Sequence, residues 1–177
     1  MPEETISVEE IKAALKYDKK TGEFFWRRRK DRNNSWNNRW AGEKAGSKRP
    51  DGYLQIFFRK SILSHRLAWF YVHGEWPDKL IDHINGDRLD NRIENLRVVS
   101  NSINLQNKSK YQKNNKSTGM LGVSVLKNNP NRFAAQIFYK GKQIKLGYYK
   151  TKEEAFNVYI NAKRKYHEGF VETNYTS

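Results

Sequence analysis

The segment LIDHINGDRLDNRIENLRVVSNSINLQN, at residues 80–107, constrains the fold of this chain more than any other part of it. A short apolar run ends in Asp82 and His83, and a loop rich in Gly, Asp and Asn follows. A second apolar run leads to Ser100, a residue type that often caps the start of a helix. We expect two strands, a loop between them and a helix carrying Asn104, an order that can bring Asp82, His83 and Asn104 together.

These three side chains suit metal-dependent hydrolysis. A carboxylate oxygen of Asp82 and the amide oxygen of Asn104 are hard ligands of the kind that Mg2+ and Mn2+ prefer. A neutral imidazole beside them, that of His83, can act as a general base near neutral pH. Asn101 is an alternative ligand to Asn104. Three residues along a helix turn a side chain through most of a turn, so we expect one of the two to face Asp82.

The pattern DHINGD…DNRIENLR…N resembles the HNH endonucleases, specifically their phage and intron-encoded homing branch. The resemblance implies that Asp82 and Asn104 are the two metal ligands and that His83 is the general base. It also implies that Asn95, twelve residues after His83, braces the loop and orients the base. The implied activity is metal-dependent hydrolysis of phosphodiester bonds at a recognised site in duplex DNA. The implied ion is Mg2+ or Mn2+, and the implied fold is the ββα-metal nuclease core.

Three other polar residues of the loop, Asp87, Asp90 and Asn91, could be taken for further metal ligands. Side chains of these types more often hold a loop through their own hydrogen bonds, and this is what we predict for them. A calcium loop of the EF-hand type is not favoured, because the segment lacks the regular alternation of acids and the terminal Glu.

The HRLAW stretch that precedes the motif also resembles the corresponding segment of these nucleases, and it begins with His65. This histidine could contact a phosphate or support the active site. A structural histidine with satisfied hydrogen bonds at the start of a helix is an equally good interpretation.

The composition narrows the class of protein. With 177 residues, the chain forms one large domain or two small ones. It has no cysteine, which excludes disulfides and thiolate zinc sites. The apolar run at residues 67–72 is too short to cross a bilayer, and the acidic N-terminus is not typical of a signal peptide. We expect a cytoplasmic protein without a membrane partner or a small-molecule cofactor, and the resemblance to the homing branch implies that a phage or bacterium encodes it.

The formal net charge of +15 favours a polyanionic partner. Residues 1–100 hold 20 Lys and Arg against 15 acids, whereas residues 101–177 hold 14 against 4. Together with the nuclease motif, this charge predicts binding to double-stranded DNA. Two rivals stay open, a non-catalytic DNA-binding regulator that keeps the nuclease fold and an RNA-binding protein.

The sequence before residue 80 predicts several helices and strands that precede the nuclease motif. Ser7 and Glu10 form a capping-box pattern at the start of a helix at residues 7–16. Short strands are predicted at residues 24–26, 53–58 and 61–64, and a helix at 65–73. The basic block at residues 27–30 could lie along phosphates or simply be solvated, and residues 33–49 are predicted to be a loop.

The C-terminal part predicts a second domain. We expect a nuclease domain at residues 1–107, a basic linker at 108–118, a domain at 119–170 and a tail at 171–177. Strands at 122–126, 132–139 and 142–149 and a helix starting at Thr151 predict a three-stranded antiparallel sheet covered by one helix. The stretches GVSVLKNNPNRFAAQI and KLGYYKTKEEA resemble the DNA-binding domain of plant ethylene-response factors. The fold class of the whole chain is therefore expected to be α+β.

If this sheet enters a major groove, several polar side chains on it are candidate DNA contacts. Arg and Gln suit base edges, and Lys suits phosphates. The candidates are Lys127, Arg132, Gln136, Lys145 and Tyr148. One active site cuts one strand at a time, so a monomer would nick, and a double-strand break needs a DNA-induced dimer or two successive events.

Overall fold

The structure is a computed structural model that describes residues 6–106 and 118–171. The chain folds into two compact units, Met1–Ser100 and Asn101–Ser177. Each unit combines helices with small antiparallel sheets, which confirms the predicted α+β class. The predicted linker at residues 108–118 lies outside the described residues except for Thr118, and so does the predicted tail except for Val171.

Over its described residues, the first unit contains three α-helices, one 3-10 helix and eight short strands. In chain order these are α1 (Val8–Ala14), β1 (Leu15–Asp18), β2 (Glu23–Trp26), α2 (Asn34–Trp40), β3 (Lys44–Ala45), β4 (Ser47–Lys48), β5 (Leu54–Phe58), β6 (Lys60–Leu63), α3 (Ser64–His73), β7 (Leu80–His83), the 3-10 helix (Ile93–Asn95) and β8 (Leu96–Val99). The strands form three sheets, with the orders β1-β2-β3, β4-β5-β6 and β7-β8.

One hydrophobic core joins these small sheets to α1 and α3. Its largest fully buried apolar side chains come from α1, β1, β2, β5, β6 and α3, and they are Ile11, Leu15, Phe24, Ile56, Ile62 and Leu67. Ile81 of β7 and Leu96 of β8 belong to the same core, so the hairpin that carries the motif is anchored by apolar packing.

Several predicted boundaries are confirmed by cap geometry. Ser7 and Glu10 form the capping box at the start of α1. Gly74 ends α3 in the left-handed conformation, with φ of +79°. The predicted helix at residues 7–16 is nevertheless too long, because the chain turns into β1 at Leu15. Burial alternates along β1, where Leu15 and Tyr17 are buried and Lys16 is exposed, and the segment pairs with β2. This two-residue period of a strand replaces the helical period there.

The prediction of a loop at residues 33–49 is wrong in part. The structure has helix α2 there, followed by the two-residue strands β3 and β4. Asn33 caps α2 by accepting a hydrogen bond from the backbone N–H of Trp36 at 2.8 Å. A helix of two turns with several Asn residues has no extended apolar period, so the pattern alone did not indicate it.

The described part of the second unit contains two helices and one three-stranded sheet. In chain order these are α4 (Asn101–Gln106), β9 (Val123–Leu126), β10 (Asn129–Tyr139), β11 (Lys142–Tyr149) and α5 (Lys152–Tyr166). The sheet is antiparallel with the order β11-β10-β9. The predicted sheet covered by a helix is therefore present. Strand β10 starts three residues earlier than predicted, because Asn129 pairs with Leu126.

Helix α5 covers one face of this sheet. Val123, Ala135 and Ile137 of the sheet are buried in two clusters that also contain Ala155 and Tyr159 of α5. Within the same unit α4 is tied to α5 and to the residues after it. The buried Lys163 donates to the carbonyl oxygen of Gln106 at 2.9 Å, and the Gln106 side chain accepts from the backbone N–H of Gly169 at 3.0 Å.

Within the ranges 6–106 and 118–171, no helix is both long enough and apolar enough to cross a membrane.

Candidate active site

Strands β7 and β8 place an acid and a histidine side by side at the end of a buried hairpin. Asp82 pairs with Arg97 and His83 with Leu96 in the antiparallel register. Asp82 and His83 are 7% and 4% exposed, which is rare for polar residues without a structural or chemical role. The predicted strand–loop–strand arrangement is present, and its first strand ends at these two residues.

The loop between the strands is held by its own polar side chains. The Asn95 amide accepts a hydrogen bond from Asn85 N at 3.0 Å and donates to Asn85 Oδ1 at 3.0 Å and to Asp90 O at 2.9 Å. Asp87 accepts from Leu89 N at 2.9 Å. These bonds fix the path of the chain on either side of His83.

Asp90 has a mainly electrostatic part in the same loop. Its carboxylate accepts three hydrogen bonds from Arg92, at 2.7 to 3.3 Å, and one from Asn85 at 2.8 Å. The Arg92 guanidinium lowers the pKa of Asp90, with a smaller opposing effect of burial. Asp90 and Asp87 thus hold the loop, in the way that the sequence predicted.

Asn91 contacts the imidazole of His83 directly. The two atoms His83 Nε2 and Asn91 Oδ1 are 3.1 Å apart, and Asn91 is fully buried. The other side of the Asn91 amide donates to Leu89 O at 3.2 Å, so its oxygen faces the ring. The ring nitrogen opposite that oxygen then carries the proton, and Nδ1 of His83 keeps its lone pair. Nδ1 is therefore the atom that can accept a proton.

Asn91 itself is positioned by the β1–β2 hairpin. The Tyr17 hydroxyl donates to the backbone carbonyl of Asn91 at 2.7 Å. Gly22 lies so close that an added Cβ would stand 2.5 Å from the carbonyl carbon of Asn91 and 2.4 Å from Arg92 N. Sequence reasoning placed Asn91 among the loop-holding residues and assigned the orienting role to Asn95. No local signal distinguishes the two asparagines, since the contact with His83 depends on how the loop folds back.

Two further rings pack against His83. His65 meets it edge to face with ring centroids 5.1 Å apart, and Tyr53 lies 5.9 Å away. Tyr53 also packs on His65 at 5.2 Å, and the Arg88 guanidinium lies 4.8 Å from the Tyr53 ring. His65 is 5% exposed, and its Nδ1 has no hydrogen-bond partner among the described residues. The residue is thus part of the surroundings of His83, and the alternative of a histidine with satisfied hydrogen bonds does not hold for Nδ1.

Burial keeps both histidines neutral at pH 7. It lowers the pKa of His83, against the opposing effects of the Asn91 hydrogen bond and of the carboxylates Asp82, Asp87 and Asp90. It lowers the pKa of His65 to about 3, with smaller contributions from His83 and Arg66. A neutral His83 with its Nδ1 lone pair can act as a general base.

Arg97 pairs with the acid of the motif across the hairpin. Its Nε and Nη2 donate to Asp82 Oδ2 at 3.0 and 2.8 Å. A buried carboxylate needs such a partner to offset the loss of hydration. Sequence reasoning did not single out Arg97. Asp82 and Arg97 carry opposite charges, but only the register of the hairpin shows that they lie opposite each other.

The predicted second ligand lies in the other unit. Asn104 is a half-buried residue of α4, and the alternative, Asn101, is an exposed residue at the start of the same helix. Their placement relative to Asp82 stays a prediction. Across the described ranges, no group of three or more His, Asp or Glu side chains is arranged to hold a metal ion.

Four of the five predicted DNA contacts share one face of the C-terminal sheet. Gln136 pairs with Lys145, and Tyr148 pairs with Ala134 two residues before Gln136, so these side chains point away from α5. Arg132 is exposed on the same strand and donates to Tyr148 O at 3.5 Å. Lys127 is exposed in the turn between β9 and β10.

Three comparisons bear on identity. Residues 63–106 match the family model HNH_3, described as HNH endonuclease. An uncharacterized HNH endonuclease of Acanthamoeba polyphaga mimivirus is 39% identical over 64 residues, which cover 31% of this chain and 16% of that relative. The chain thus matches about a sixth of the length of the relative.

The chain is also similar to a solved structure of the HNH homing endonuclease I-HmuI, which describes DNA binding and cleavage by that enzyme. The similarity covers 93% of both chains with 21% identity and a TM-score of 0.41. The segment that the family model covers runs from the end of β6 through the Asp82–His83 hairpin to the end of α4. Residues 63–106 are therefore similar in sequence to the HNH endonucleases.

Proposed function

We propose that this protein is a metal-dependent endonuclease that hydrolyses phosphodiester bonds in double-stranded DNA, with His83 as the general base. The observation that carries the proposal is the geometry of His83, which is buried, neutral and held through Nε2 by Asn91 at the end of a hairpin beside Asp82. The match of residues 63–106 to HNH endonucleases supports the same chemistry.

His83 would take a proton from a water molecule onto Nδ1. The resulting hydroxide attacks the phosphorus atom and the bond between phosphorus and the 3′ oxygen breaks. The departing 3′ oxygen takes a proton from a water molecule, so the products are a 5′ phosphate and a 3′ hydroxyl. The Asn91 hydrogen bond keeps the proton on Nε2, and the rings of His65 and Tyr53 restrict rotation of the imidazole. Asn95 would act on the same step by bracing the loop.

Asp82 and Asn104 would hold the divalent cation, and their donor set fits the proposed ion. A carboxylate and an amide oxygen without thiolate favour Mg2+ or Mn2+ over Zn2+. When bound, this ion supplies charge stabilisation to the scissile phosphate and the departing oxygen. Arg97 offsets the charge of Asp82 and fixes the orientation of its carboxylate.

The C-terminal sheet would supply recognition of the DNA. Gln136 and Arg132 suit base edges, and Lys145 and Lys127 suit phosphates. The face of the sheet shared by Arg132, Gln136 and Lys145 supports this assignment, and so does the net charge of residues 101–177. A homing role, a phage or bacterial origin, action on DNA in the cytoplasm, and activity as a monomer or a DNA-induced dimer are further parts of the proposal.

The first experiment is incubation of supercoiled plasmid with the wild-type protein and His83→Ala in Mg2+, Mn2+ or EDTA. We expect nicked or linear product that requires both the metal and His83. His73→Ala is a matched control, because His73 is an exposed histidine at the end of α3. Cleavage by His83→Ala at the wild-type rate would contradict the assignment.

A DNA-binding regulator is the alternative. It predicts tight binding of the wild-type protein to duplex DNA, with the DNA left intact in every metal. The exposed polar face of the C-terminal sheet would then carry the function.

A further inference from the structure

The connection after β2 and the helix α2 carry a strongly basic surface that the proposed chemistry does not use. Residues 27–40 contain six Lys or Arg residues and a single acid, Asp31. The sequence leaves open whether these charges serve a ligand or are only solvated. The structure separates the basic residue that holds the fold from those that face solvent.

Arg29 is the structural member of this group. Its side chain is 11% exposed, and its guanidinium carbon lies 5.8, 5.6 and 5.1 Å from the rings of Trp26, Trp36 and Phe58. It also donates two hydrogen bonds to Asp31, at 3.0 and 2.5 Å. The single acid of the segment is therefore bonded to the buried cation.

Asn37 ties the connection to α2. This buried amide donates to the carbonyl oxygens of Arg29, Arg32 and Asn33 at 2.9 to 3.1 Å, and it accepts from Arg29 N at 2.8 Å. Trp36 packs its ring edge-on against Trp26 at 5.5 Å. The segment is thus ordered in the free protein, which reduces the entropy lost when a ligand binds.

Of the other basic residues, Arg27 donates from Nε to Leu15 O at 3.2 Å. The rest face solvent and form what we call the α2 basic surface. It consists of four exposed cations and three exposed polar residues, namely Arg28, Lys30, Arg32 and Arg39 with Asn34, Ser35 and Asn38. Over the part of the chain that the structure describes, none of the four cations forms a salt bridge. Arg28 bonds to Asn34, whereas Arg32 and Arg39 lie over the Trp36 and Trp40 rings.

We propose that the α2 basic surface binds the sugar–phosphate backbone of duplex DNA. Arg, Lys, Asn and Ser are the side chains that make most phosphate contacts, and these contacts carry no sequence information of their own. The nearby acid is already bonded to Arg29, so the surface presents uncompensated positive charge. The inference rests on the proposed function in taking duplex DNA as the polyanion. It goes beyond that function by giving the first unit a DNA contact of its own.

The test is the salt dependence of DNA binding by the full chain in EDTA, where no cleavage occurs. The variant is Arg28→Gln/Lys30→Gln/Arg39→Gln. It keeps Arg29 and Arg32, and therefore their contacts with the Trp36 ring. Because each phosphate contact contributes about 0.9 to the slope of log K against log salt, we expect that slope to become shallower by roughly two to three units. The loss of affinity should be the same for unrelated DNA sequences.

The matched control is Lys16→Gln/Lys19→Gln/Lys20→Gln, which removes the same charge from three exposed lysines of the same unit. It should keep most of the wild-type slope. Equal slopes for the two triple variants would overturn the inference, because the effect would then be one of net charge. All five Trp residues lie in the first unit, so their fluorescence during denaturation shows whether the variants fold. Lys30→Gln alone should change the slope by about one unit.

Two other outcomes have distinct meanings. A larger loss with duplex RNA than with duplex DNA would overturn the choice of DNA as partner of this surface. If the wild-type protein binds no duplex DNA at low salt, the proposed endonuclease function itself fails. If it binds DNA and the variant keeps the wild-type slope, the inference about the α2 basic surface fails alone.

Discussion

Asn91 shows how much of this site depends on a single amide. It is fully buried, its oxygen faces His83 Nε2, and its nitrogen is held by Leu89 O. The orientation of one side chain thus determines which nitrogen of the proposed base carries the proton.

We predict that Asn91→Ala lowers the single-turnover cleavage rate by about a hundredfold, because a base that can rotate or change tautomer is misplaced for proton transfer. DNA affinity in EDTA should stay near that of the wild-type protein. Asn91→Asp should retain more activity than Asn91→Ala, since a carboxylate still accepts from Nε2–H. If both variants cleave equally slowly, the loss reflects loop packing and not orientation of His83.

We predict that burial of His65 makes the stability of the first unit sensitive to acid. Its pKa is lowered from 6.5 to about 3 in the folded protein, so the unfolded chain binds the proton more readily between these values. Stability is therefore complete above about pH 6.5 and falls as the pH decreases toward 3. At pH 5 this one group costs about 2 kcal/mol of the free energy of unfolding. The lowered pKa of His83 acts in the same direction.

The measurement is the denaturation midpoint by Trp fluorescence from pH 7 to pH 5 for the wild-type protein, His65→Phe and His73→Gln. The loss of stability with decreasing pH should be smaller in His65→Phe, and His73→Gln should follow the wild-type protein. A pH dependence that is unchanged in His65→Phe would show that another group is responsible.

At the scale of elements, the loop that follows His83 packs on the β1–β2 hairpin. Tyr17 of β1 donates to Asn91 O, and the turn at Gly22 touches the backbone of Asn91 and Arg92. These contacts join residues about seventy positions apart. The hairpin therefore positions the loop that holds the proposed base.

We predict that Gly22→Ala both destabilises the first unit and slows cleavage, because the added Cβ would overlap the backbone of the loop. Gly42→Ala is the control: Gly42 also has positive φ, at +93°, but among the described residues no atom lies within 4 Å of the added Cβ. The control should lose about 1 kcal/mol from backbone strain and keep its cleavage rate. Gly22→Ala should lose several times that stability. Equal losses of stability in the two variants would show that the close approach of Gly22 to the backbone of Asn91 and Arg92 is not the cause.

At the scale of the whole molecule, the two predicted metal ligands lie in different units. Asp82 belongs to the first, whereas Asn104 lies in α4, which is bonded within the second unit through Lys163 and Gly169. The position of Asn104 in α4 therefore depends on contacts made within the second unit.

We predict that Asp82→Ala and Asn104→Ala weaken Mn2+ binding at least about tenfold, measured by calorimetry without DNA. Asn101→Ala should bind Mn2+ as the wild-type protein does, because one of the two α4 asparagines is expected to face Asp82. The reverse result, in which Asn101→Ala loses the ion and Asn104→Ala keeps it, would move the ligand assignment to Asn101.

Part of this structure could be predicted because its signals are local. The capping boxes at Ser7 and Thr151, the helix end at Gly74 and the hairpin turn at residues 140–141 depend on side chains within a few positions of each other. The strand–loop–strand pattern around His83 is equally local, and so is its resemblance to HNH endonucleases. Helix α2 was not predicted, because its stabilising contacts, Asn37 to the preceding connection and Trp36 to Trp26, are not an apolar period.

The sequence by itself determined the class of the fold, the position of the Asp82–His83 pair and the basic character of the chain, since these follow from residue types and short spacings. The tertiary structure alone decided which asparagine contacts His83, which arginine pairs with Asp82 and which residue of the basic block is buried. Hydrogen bonds and ring contacts are effective over a few ångströms, and here they join residues that folding brings together from distant parts of the chain. Such contacts have no fixed spacing in the sequence, so Asn91, Arg97 and Arg29 acquire their roles in the folded chain.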